Sequence, residues 1–461
     1  MQHFFAQSRS FVTGLIRKLP TERWTAWIAF GLAAAVVAGV VVRYAVDVPL
    51  HDQFELTPSL ERLFSGRASW ADFNAQNNEH RILVPRTIWL AMAWLTRFDV
   101  RAQLIPVFLA IVLTNWIVFW IAQRMSAENP LPRAAWWLLA ALLFSLRQYE
   151  CLLWGATLTI VGTAAFVTCA LYLLWRSETS GGRYLLAVPA AAAASFCSGG
   201  GLLAWPLGAL CIGWQRLPLV YKVRRLTVWS VAALAVMLIY FSDYRRQVNP
   251  WPSGLWFLAH NLRGAVNYSF IYLGSPLAAS PLQACLAGGA VAAMALTILW
   301  RAARDASFRR AAAPAIALLL FVLASGALVL YARLGLGAEQ AFASRYTSIS
   351  KLALGAILLA GAALRSRSRM HSLAYSGVLL LMAVGLLSGA WQSLRAIQAD
   401  YQSRLQARQS MLCFESAADS QLSPVLYPDP NRVRYDARIL RHYRLSLFRA
   451  GEPECPHVFR K

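Results

Sequence analysis

The chain has 461 residues, of which 58% are hydrophobic and only 14% are charged, and it carries a formal net charge of +23 at pH 7. Soluble domains have closer to a quarter charged residues, so this composition excludes an ordinary soluble fold and indicates a bilayer. The surplus of Lys and Arg is typical of cytoplasmic loops between membrane spans. No basic stripe interleaved with aromatic residues indicates nucleic-acid binding.

The N-terminal region predicts a membrane span that is retained in the mature protein. Arg9, Arg17, Lys18 and Arg23 precede an apolar stretch of about twenty residues, the length of one span. A secretory signal peptide would end in a small-residue cleavage site, and none follows this stretch. We therefore expect a multi-pass protein of the bacterial inner membrane with a cytoplasmic N-terminus.

Hydropathy predicts an all-α polytopic membrane protein with about eleven transmembrane helices. The expected spans are residues 25–46, 104–123, 134–148, 152–175, 184–199, 201–214, 226–242, 282–300, 312–332, 346–364 and 373–391. Residues 1–391 would then form a multi-span membrane domain, and residues 392–461 a polar C-terminal tail.

Residues 82–96 are apolar but short, and charge decides whether they cross the membrane. If they cross, three basic clusters face outward: Arg216, Lys222, Arg224 and Arg225; Arg301, Arg304, Arg309 and Arg310; and Arg365, Arg367 and Arg369. If they lie in the interface, all three clusters face the cytoplasm. We therefore expect residues 47–103 to form a long periplasmic first loop and the tail to be periplasmic. Residues 255–274 are expected to form a surface or partly re-entrant helix.

The first outer loop collects acidic residues in a chain that has only 21 of them. Asp52 and Glu55 are three residues apart, so one helical turn would place both carboxylates on one face. A carboxylate near the membrane surface, partly shielded from water, can serve as a general base. Clustered acids would also allow a divalent cation, although no cofactor is identified. The alternative interpretation is an ordinary solvated loop.

Other polar residues are expected on the same side of the membrane. They are Glu79, His80 and Arg81 in NNEHR, Gln148, Tyr149 and Glu150 in LRQYECLLWG, Arg263, and Glu339, Gln340, Arg345 and Tyr346 in RLGLGAEQAFASRY. On the same side, the successive glycines Gly199 to Gly201 in SFCSGGGLLAWP would break a helix where backbone could approach a ligand. Arginines beside an acidic cluster would suit an anionic ligand and an acid–base step. Taken singly, each residue is explained as a helix-end cap or a snorkelling group.

The order of these features resembles the GT-C glycosyltransferases, which include protein O-mannosyltransferases and bacterial aminoarabinose transferases. This chain and those enzymes share a first span, an acid-bearing outer loop with helices lying on the membrane, and then a bundle of spans. The strings NNEHRILVPR, QYECLLWG, SGGGLLAWP and ASRY also resemble a group of bacterial membrane proteins of unassigned function. That group commonly has Asn where this chain has Cys151. The second likeness covers most of the chain, whereas the first is mainly topological.

The resemblance to GT-C enzymes implies a reaction and roles for particular residues. Such enzymes use an outer-loop Asp or Glu to deprotonate an acceptor and take sugar from a polyprenyl-phosphate donor. By position, Asp52 is the first candidate base, with Asp47 and Glu55 behind it. Candidate donor-binding residues are Glu79, His80, Arg81, Glu150, Arg263, Arg345 and Tyr346, and among them Arg81 and Arg345 are candidate phosphate ligands. The implied partners are a lipid-linked sugar donor, an envelope acceptor and membrane lipids.

Two other functions remain open from the sequence. A lipid-linked glycan flippase or transporter would place ionisable residues near span centres and show internal symmetry; here acidic residues avoid the predicted span centres and no repeat is visible. An O-antigen polymerase or ligase would be expected to carry its main outer loop later in the chain. The sugar and the acceptor are not specified by the sequence.

The seven cysteines show no metal-binding spacing, and two of them lie in the polar tail. Cys413 and Cys455 are the only cysteines beyond the last predicted span. Disulfides persist in an oxidising periplasm, and a short outer segment with a small core gains from a covalent tie. We therefore predict a Cys413–Cys455 disulfide, with two free thiols as the alternative, and an amphipathic helix near residues 433–447.

Overall fold

The computed structural model describes residues 21–127, 130–245, 247, 250–365, 369–450 and 455. The basic residues Arg9, Arg17 and Lys18, predicted to precede the first span, lie outside this range, as does Arg367 of the third basic cluster. The described residues are almost entirely helical, with one two-stranded hairpin. The expectation of an all-α polytopic fold is therefore met at this level.

Twenty α-helices, joined by short 3₁₀ turns, account for most of the described residues. In chain order they are α1 Thr21–Tyr44, α2 Thr57–Phe64, α3 Trp70–Asn74, α4 Leu83–Thr96, α5 Leu104–Ser126, α6 Arg133–Leu143, α7 Tyr149–Leu153, α8 Leu158–Trp175, α9 Gly181–Ser195, α10 Ala204–Trp214, α11 Leu219–Phe241, α12 Leu255–His260, α13 Leu262–Gly274, α14 Pro281–Arg304, α15 Ala306–Ala311, α16 Ala313–Arg333, α17 Thr347–Arg365, α18 Arg369–Leu412, α19 Asp419–Leu422 and α20 Pro430–His442. Strands β1 Gln76–Asn77 and β2 His80–Arg81 form the hairpin.

Eight of the described helices are long and apolar enough to cross a bilayer. The eleven predicted spans are therefore not confirmed as a count. Three of them correspond to shorter helices: α6, α9, and the segment Gly199–Trp214 that contains α10. Each is short because the chain turns early, with a Ser-capped 3₁₀ turn after α6 and the glycine-rich turn between α9 and α10.

The basic segments and the acidic loop lie at opposite ends of the helical bundle. At one end, the Arg216 amide donates to the Glu178 carboxylate at 2.8 Å, and the Arg225 guanidinium donates to Gln215 at 2.9 Å. The first loop instead meets the C-terminal end of α16 and the turns that follow α6 and α9. The structure thus separates the residues predicted to face the cytoplasm from those predicted to face outward.

Helix α4, the segment whose crossing of the membrane was in question, has 14 residues and is not among the eight described helices that are long and apolar enough to cross. It ends at Thr96, and the next two residues, Arg97 and Phe98, have positive φ values of 54° and 58°. Two successive left-handed residues stop a helix and turn the chain.

Residues 255–274 form two helices where one was expected. The first, α12, has no buried side chain, whereas the second, α13, buries Tyr268 and Tyr272. At Gly274 and Gly288 a Cβ atom would overlap backbone atoms of the other helix, so α13 and α14 cross in direct backbone contact. Small residues at a crossing permit such close packing of helices in membranes.

The last predicted span is the first half of a much longer helix. Helix α18 continues through Leu412, so the boundary expected at residue 392 lies in the middle of a helix. The C-terminal segment then folds back as α19 and α20, and Val433, Ala437 and Leu440 of α20 are buried. The amphipathic helix expected at 433–447 is observed as α20, shifted towards the N-terminus by the Asp429–Pro430 start.

Candidate functional site

Asp52 lies in a 3₁₀ helix, His51–Leu56, that begins with His51 at a φ of 46°. Its side chain is exposed, yet the surrounding protein raises the pKa of the carboxyl above the ordinary aspartate value. Burial is the largest cause and Glu55 adds to it, while His51, Arg345 and Arg333 oppose it. A group that is reached by water and still desolvated lies in a concave site. Among the described residues, no donor is hydrogen-bonded to this carboxylate.

The 3₁₀ helix is fixed by the LLWG string of the sequence. Trp154 packs edge-on against His51 with ring centroids 6.1 Å apart. At Gly155 a Cβ would overlap the Gln103 side chain, which accepts a hydrogen bond from Gln53 at 2.7 Å. The glycine is therefore needed so that Gln103 can reach the loop. These contacts place Asp52 at the end of the bundle.

Glu55 accepts a hydrogen bond from the Tyr427 hydroxyl at 2.6 Å. The hydrogen bond to this carboxylate, together with burial, raises the pKa of Tyr427 to about 12. Beside it, the His51 amide donates to the Leu426 carbonyl at 2.7 Å. The tail thus holds both ends of the 3₁₀ helix. Glu55 is engaged with a tail residue, whereas Asp52 is not.

Asp47 anchors the tail and does not face the same site as Asp52. It is buried, and its carboxylate pairs with Arg449 at 2.6 Å and accepts from the Val100 amide at 3.1 Å and the Ser446 hydroxyl at 3.2 Å. Burial and the charge of Asp99 raise the pKa of Asp47. With its oxygens held by three donors, Asp47 is less suited to act as a base than Asp52.

The NNEHR string is a tight hairpin that presents Glu79 to the bundle. Asn77 pairs with His80 across a two-residue turn in which Asn78 has a φ of 48°. The Glu79 carboxylate forms an ion pair with Arg333 at 2.9 Å. His80 Nδ1 accepts from the Gly199 amide at 3.3 Å, and burial lowers the pKa of His80.

Arg81 is buried and holds the hairpin to the end of α11. Its guanidinium donates to the backbone carbonyls of Tyr240 at 2.6 Å, Asn74 at 3.0 Å and Ser242. Its amide also donates to the Tyr240 hydroxyl at 3.2 Å. Three carbonyl acceptors occupy the guanidinium, so the geometry favours a structural role over the predicted phosphate contact.

Glu150 and Arg345 bring two of the sequence strings together. The Arg345 amide donates to one carboxylate oxygen of Glu150 at 2.8 Å, and its guanidinium reaches the other at 3.4 Å. The Glu150 amide donates to the Ser344 hydroxyl at 3.0 Å. The Arg345 guanidinium also lies 5.2 Å from the centre of the Tyr346 ring. Arg345 is one of the two arginines that influence Asp52.

Two predicted elements take no part in this cluster. Arg263 is exposed near the start of α13, and within the described residues it contacts none of the other candidate site residues. The glycines of SGGG serve the packing of the chain on itself. A Cβ at Gly201 would overlap the Ala194 carbonyl, and one at Gly199 would press on His80 at 3.2 Å. The prediction that these glycines allow backbone to approach a ligand is replaced by this internal contact.

A cavity of about 380 Å³ lies beside the Glu150–Arg345 pair. Its lining residues are Arg147, Tyr149, Glu150, Pro281, Glu339, Gln340, Phe342, Ala343, Ser344, Gln392, Ser393 and Ala396. They come from the turn after α6, the start of α14, the turn between α16 and α17, and the middle of α18. Its volume is in the range typical of small-molecule sites.

Some site residues were not identified from the sequence. Arg333 and Tyr427 carried no local signal, because their partners Glu79 and Glu55 are distant in the chain. Lys351 did carry one, as a lysine inside an apolar run. It is fully buried, and its ammonium donates to the Gln148 side chain at 2.7 Å and to the Leu143 carbonyl.

Within the described part of the chain, no group of three or more His, Cys, Asp or Glu side chains is arranged to hold a metal ion. In comparisons with known proteins, no family model matches the chain and no curated protein matches it.

Proposed function

We propose that this protein is a membrane glycosyltransferase of the GT-C type, which moves a sugar from a polyprenyl-phosphate carrier to a cell-envelope acceptor. The observation that carries the proposal is Asp52: an accessible carboxylate with a raised pKa, without a hydrogen-bond donor among the described residues, under the influence of Arg333 and Arg345. A base near one end of a membrane bundle, beside two cations, suits an acceptor hydroxyl and a lipid phosphate.

In this mechanism Asp52 removes the proton from an acceptor hydroxyl. The hydroxyl oxygen bonds to the anomeric carbon of the donor sugar, and the bond from that carbon to the phosphate oxygen breaks. The electron pair leaves with the lipid phosphate. A raised pKa increases the affinity of the carboxylate for the acceptor's proton, which favours the proton transfer.

Arg333 and Arg345 would stabilise the charge on the departing phosphate. Each is held in place by a carboxylate, Glu79 for Arg333 and Glu150 for Arg345, and each keeps over a quarter of its side chain exposed. A guanidinium fixed in this way still offers donors to a phosphate, and such charge-assisted bonds are among the stronger ones. Tyr346, stacked near Arg345, supports its orientation.

We further propose eleven crossings, with the short helices α6, α9 and α10 each traversing the bilayer. This places the N-terminus in the cytoplasm and the site and tail in the periplasm of a bacterial inner membrane. The disulfide between Cys413 and Cys455 supports this orientation, because such bonds persist in oxidising compartments.

Cysteine labelling of intact spheroplasts tests the orientation. In a background without the native free cysteines, Trp70→Cys is expected to react with an impermeant thiol reagent and Ala306→Cys to react only after lysis. Both positions are exposed in the structure. Labelling of Ala306→Cys in intact spheroplasts would reverse the orientation.

A flippase for lipid-linked glycans is the second candidate, favoured by Lys351. A fully buried lysine inside a span is typical of transport pathways. A flippase would move the lipid-linked sugar across the bilayer and leave the sugar–phosphate bond intact. Polymerase or ligase chemistry would break that bond as well, and would differ by the size of the acceptor.

The deciding experiment uses full-length protein in nanodiscs with polyprenyl-phosphate-linked hexoses and pentoses labelled in the sugar, and an envelope lipid extract as acceptor. We expect transfer with the native protein and loss of it with Asp52→Asn, which removes the base and little volume. Glu61→Gln is the matched control, because Glu61 is on the same loop with only a long contact of 3.9 Å to exposed Arg67. Release of no labelled product by the native protein, together with movement of the intact donor between leaflets, would favour the flippase.

A further inference from the structure

The cavity beside Glu150 differs from a lipid-binding pocket in its chemistry. Eight of its twelve lining residues are polar or charged, whereas pockets for apolar ligands are lined mainly by hydrophobic side chains. Its polar groups include the amides of Gln340 and Gln392 and the hydroxyl-bearing Tyr149 and Ser393. Ser393 already donates to the Gly389 carbonyl at 2.6 Å, but an acyl or polyprenyl chain would leave the other three groups without partners, at a cost in free energy.

The charges of the cavity do not suit a phosphate either. Glu150 and Glu339 are acidic, and only Arg147 is basic. One terminal nitrogen of Arg147 donates to the Phe342 carbonyl at 2.6 Å, and its guanidinium lies 3.8 Å from the Phe342 ring centre. The balance of lining charges is therefore not cationic, so an anion would gain little there.

Arg147 supplies an independent sign of a missing partner. Its side chain is 5% exposed, and its Nε atom is buried with no hydrogen-bond acceptor among the described residues. A buried donor of this kind is costly unless a ligand or water accepts from it. The Nε atom itself has almost no accessible surface, so a ligand in the cavity would pair with Arg147 through the terminal nitrogen that does not donate to Phe342.

We propose that this cavity binds a sugar ring of the substrate, an inference that rests on the proposed transferase function. Neighbouring sugar hydroxyls both donate and accept hydrogen bonds, which matches the mixture of amides, carboxylates and hydroxyls on Gln340, Gln392, Glu339 and Tyr149. Tyr149 and Phe342 also add aromatic rings to the lining, a type of side chain that suits the apolar face of a sugar ring. The cavity therefore selects a hydrophilic, uncharged ligand.

The place of the cavity connects it to the proposed chemistry. Glu150 lines the cavity and also holds Arg345, whose charge acts on Asp52. A sugar bound there lies against the Glu150–Arg345 pair, in which Glu150 orients Arg345, the proposed phosphate ligand. Sugar and phosphate would thus occupy adjoining sites, one polar and uncharged, the other cationic.

The test is sugar binding by full-length protein in nanodiscs, measured by saturation-transfer NMR with free glucose, galactose, N-acetylglucosamine and arabinose. Gln340→Ala and Gln392→Ala are each expected to weaken binding about fivefold, the worth of one neutral hydrogen bond. Ala396→Trp, which fills the cavity, should abolish it. The matched controls are Gln398→Ala and Ala399→Trp, which change exposed residues of α18 outside the cavity lining and should bind as the native protein does.

The outcomes separate this inference from the proposed function. Binding that is unchanged by Ala396→Trp, absent for all four sugars, or displaced by inorganic phosphate would overturn the sugar site. Cavity-dependent binding without transfer from any donor would leave the sugar site standing and remove the transferase proposal. Asp52→Asn should lose transfer and keep sugar binding, because Asp52 does not line the cavity.

Discussion

Asp47, Asp52 and Glu55 lie close together in the chain, and each has a different electrostatic environment. Asp47 is neutralised by Arg449, Glu55 accepts a hydrogen bond from Tyr427, and Asp52 has neither kind of partner among the described residues. At the scale of single residues, the proposed base is distinguished by carboxylate oxygens that no ion-pair partner or hydrogen-bond donor among the described residues occupies. Its protonation then depends on charges contributed by other segments.

The pH dependence of transfer should report the pKa of Asp52. Its carboxyl must be ionised to act as a base, so kcat/KM should fall as pH decreases through a pKa that is raised above the ordinary aspartate value. Replacing the like charge in Glu55→Gln should move this acid limb to lower pH. Replacing the opposite charge in Arg345→Gln should move it to higher pH. The measurement is kcat/KM against pH in nanodiscs.

His51 and Arg333 also act on Asp52, so their variants test the same assignment. Arg333→Gln should move the acid limb in the same direction as Arg345→Gln, because both remove a charge that lowers the pKa of Asp52. An acid limb that stays in place in all these variants would belong to another group. That result would exclude Asp52 as the base.

Arg345→Ala should weaken donor binding roughly ten- to hundredfold, as expected for loss of a charge-assisted bond of about 1.5–3 kcal/mol. The donor affinity of Arg345→Lys should fall between those of the native protein and Arg345→Ala, because lysine keeps the charge and loses the fork of donors. Donor affinity would be measured by titration of polyprenyl phosphate. Exposed Arg67→Ala serves as the control and should bind as the native protein does. Equal affinity in all variants would contradict a phosphate role for Arg345.

The sequence carries a local signal for some of the residues that the structure brings together. The acidic loop and the strings NNEHR, QYECLLWG and ASRY do meet at one end of the bundle. What could not be predicted were the partners that separate Asp47 from Asp52, since Arg449 and Tyr427 are supplied by the tail. The structural role of Arg81 could not be predicted either, because nothing in NNEHR indicates that its guanidinium donates to three backbone carbonyls.

At the scale of elements, Arg81 acts by holding the β1–β2 hairpin to the end of α11. Arg81→Ala should lower thermal stability in detergent, because it leaves the carbonyls of Asn74 and Tyr240 without their donor in a buried region. The affinity for polyprenyl phosphate, measured below the unfolding temperature, should remain near native. A loss of donor affinity without loss of stability would restore the phosphate role.

Spans were predictable to the extent that hydropathy describes them. Long apolar helices such as α5, α14 and α16 agree with the predicted spans to within a few residues. Hydropathy could not show that α18 continues for a further twenty residues or so, because that half is polar and is stabilised by packing against the loop and the tail. It also could not show that α6 ends early, where Lys351 and Gln148 satisfy the end of the helix.

At the scale of the whole molecule, the tail and the first loop form one layer over the end of the bundle. Arg404 of α18 donates to the Leu153 carbonyl at 2.6 Å, and the Ser446 amide donates to the Arg97 carbonyl at 2.8 Å. Together with the pairs Asp47–Arg449 and Glu55–Tyr427, these contacts make the tail part of the site's support. The two segments predicted as separate regions therefore depend on each other.

The disulfide closes this layer, and its removal should affect stability and transfer together. Cys413 and Cys455 have Cα atoms 5.0 Å apart and are separated by 42 positions in the chain. Cys413→Ala with Cys455→Ala should cost about 4 kcal/mol by the chain-entropy estimate, measured as earlier thermal unfolding of the tail. Because Tyr427 and Leu426 lie inside the loop and hold the 3₁₀ helix of Asp52, transfer should fall while sugar binding in the cavity persists. The control replaces the free cysteines Cys169 and Cys285 with Ala and should change neither. Native transfer by a variant whose tail has lost its protection from protease would show that Asp52 is positioned by the bundle alone.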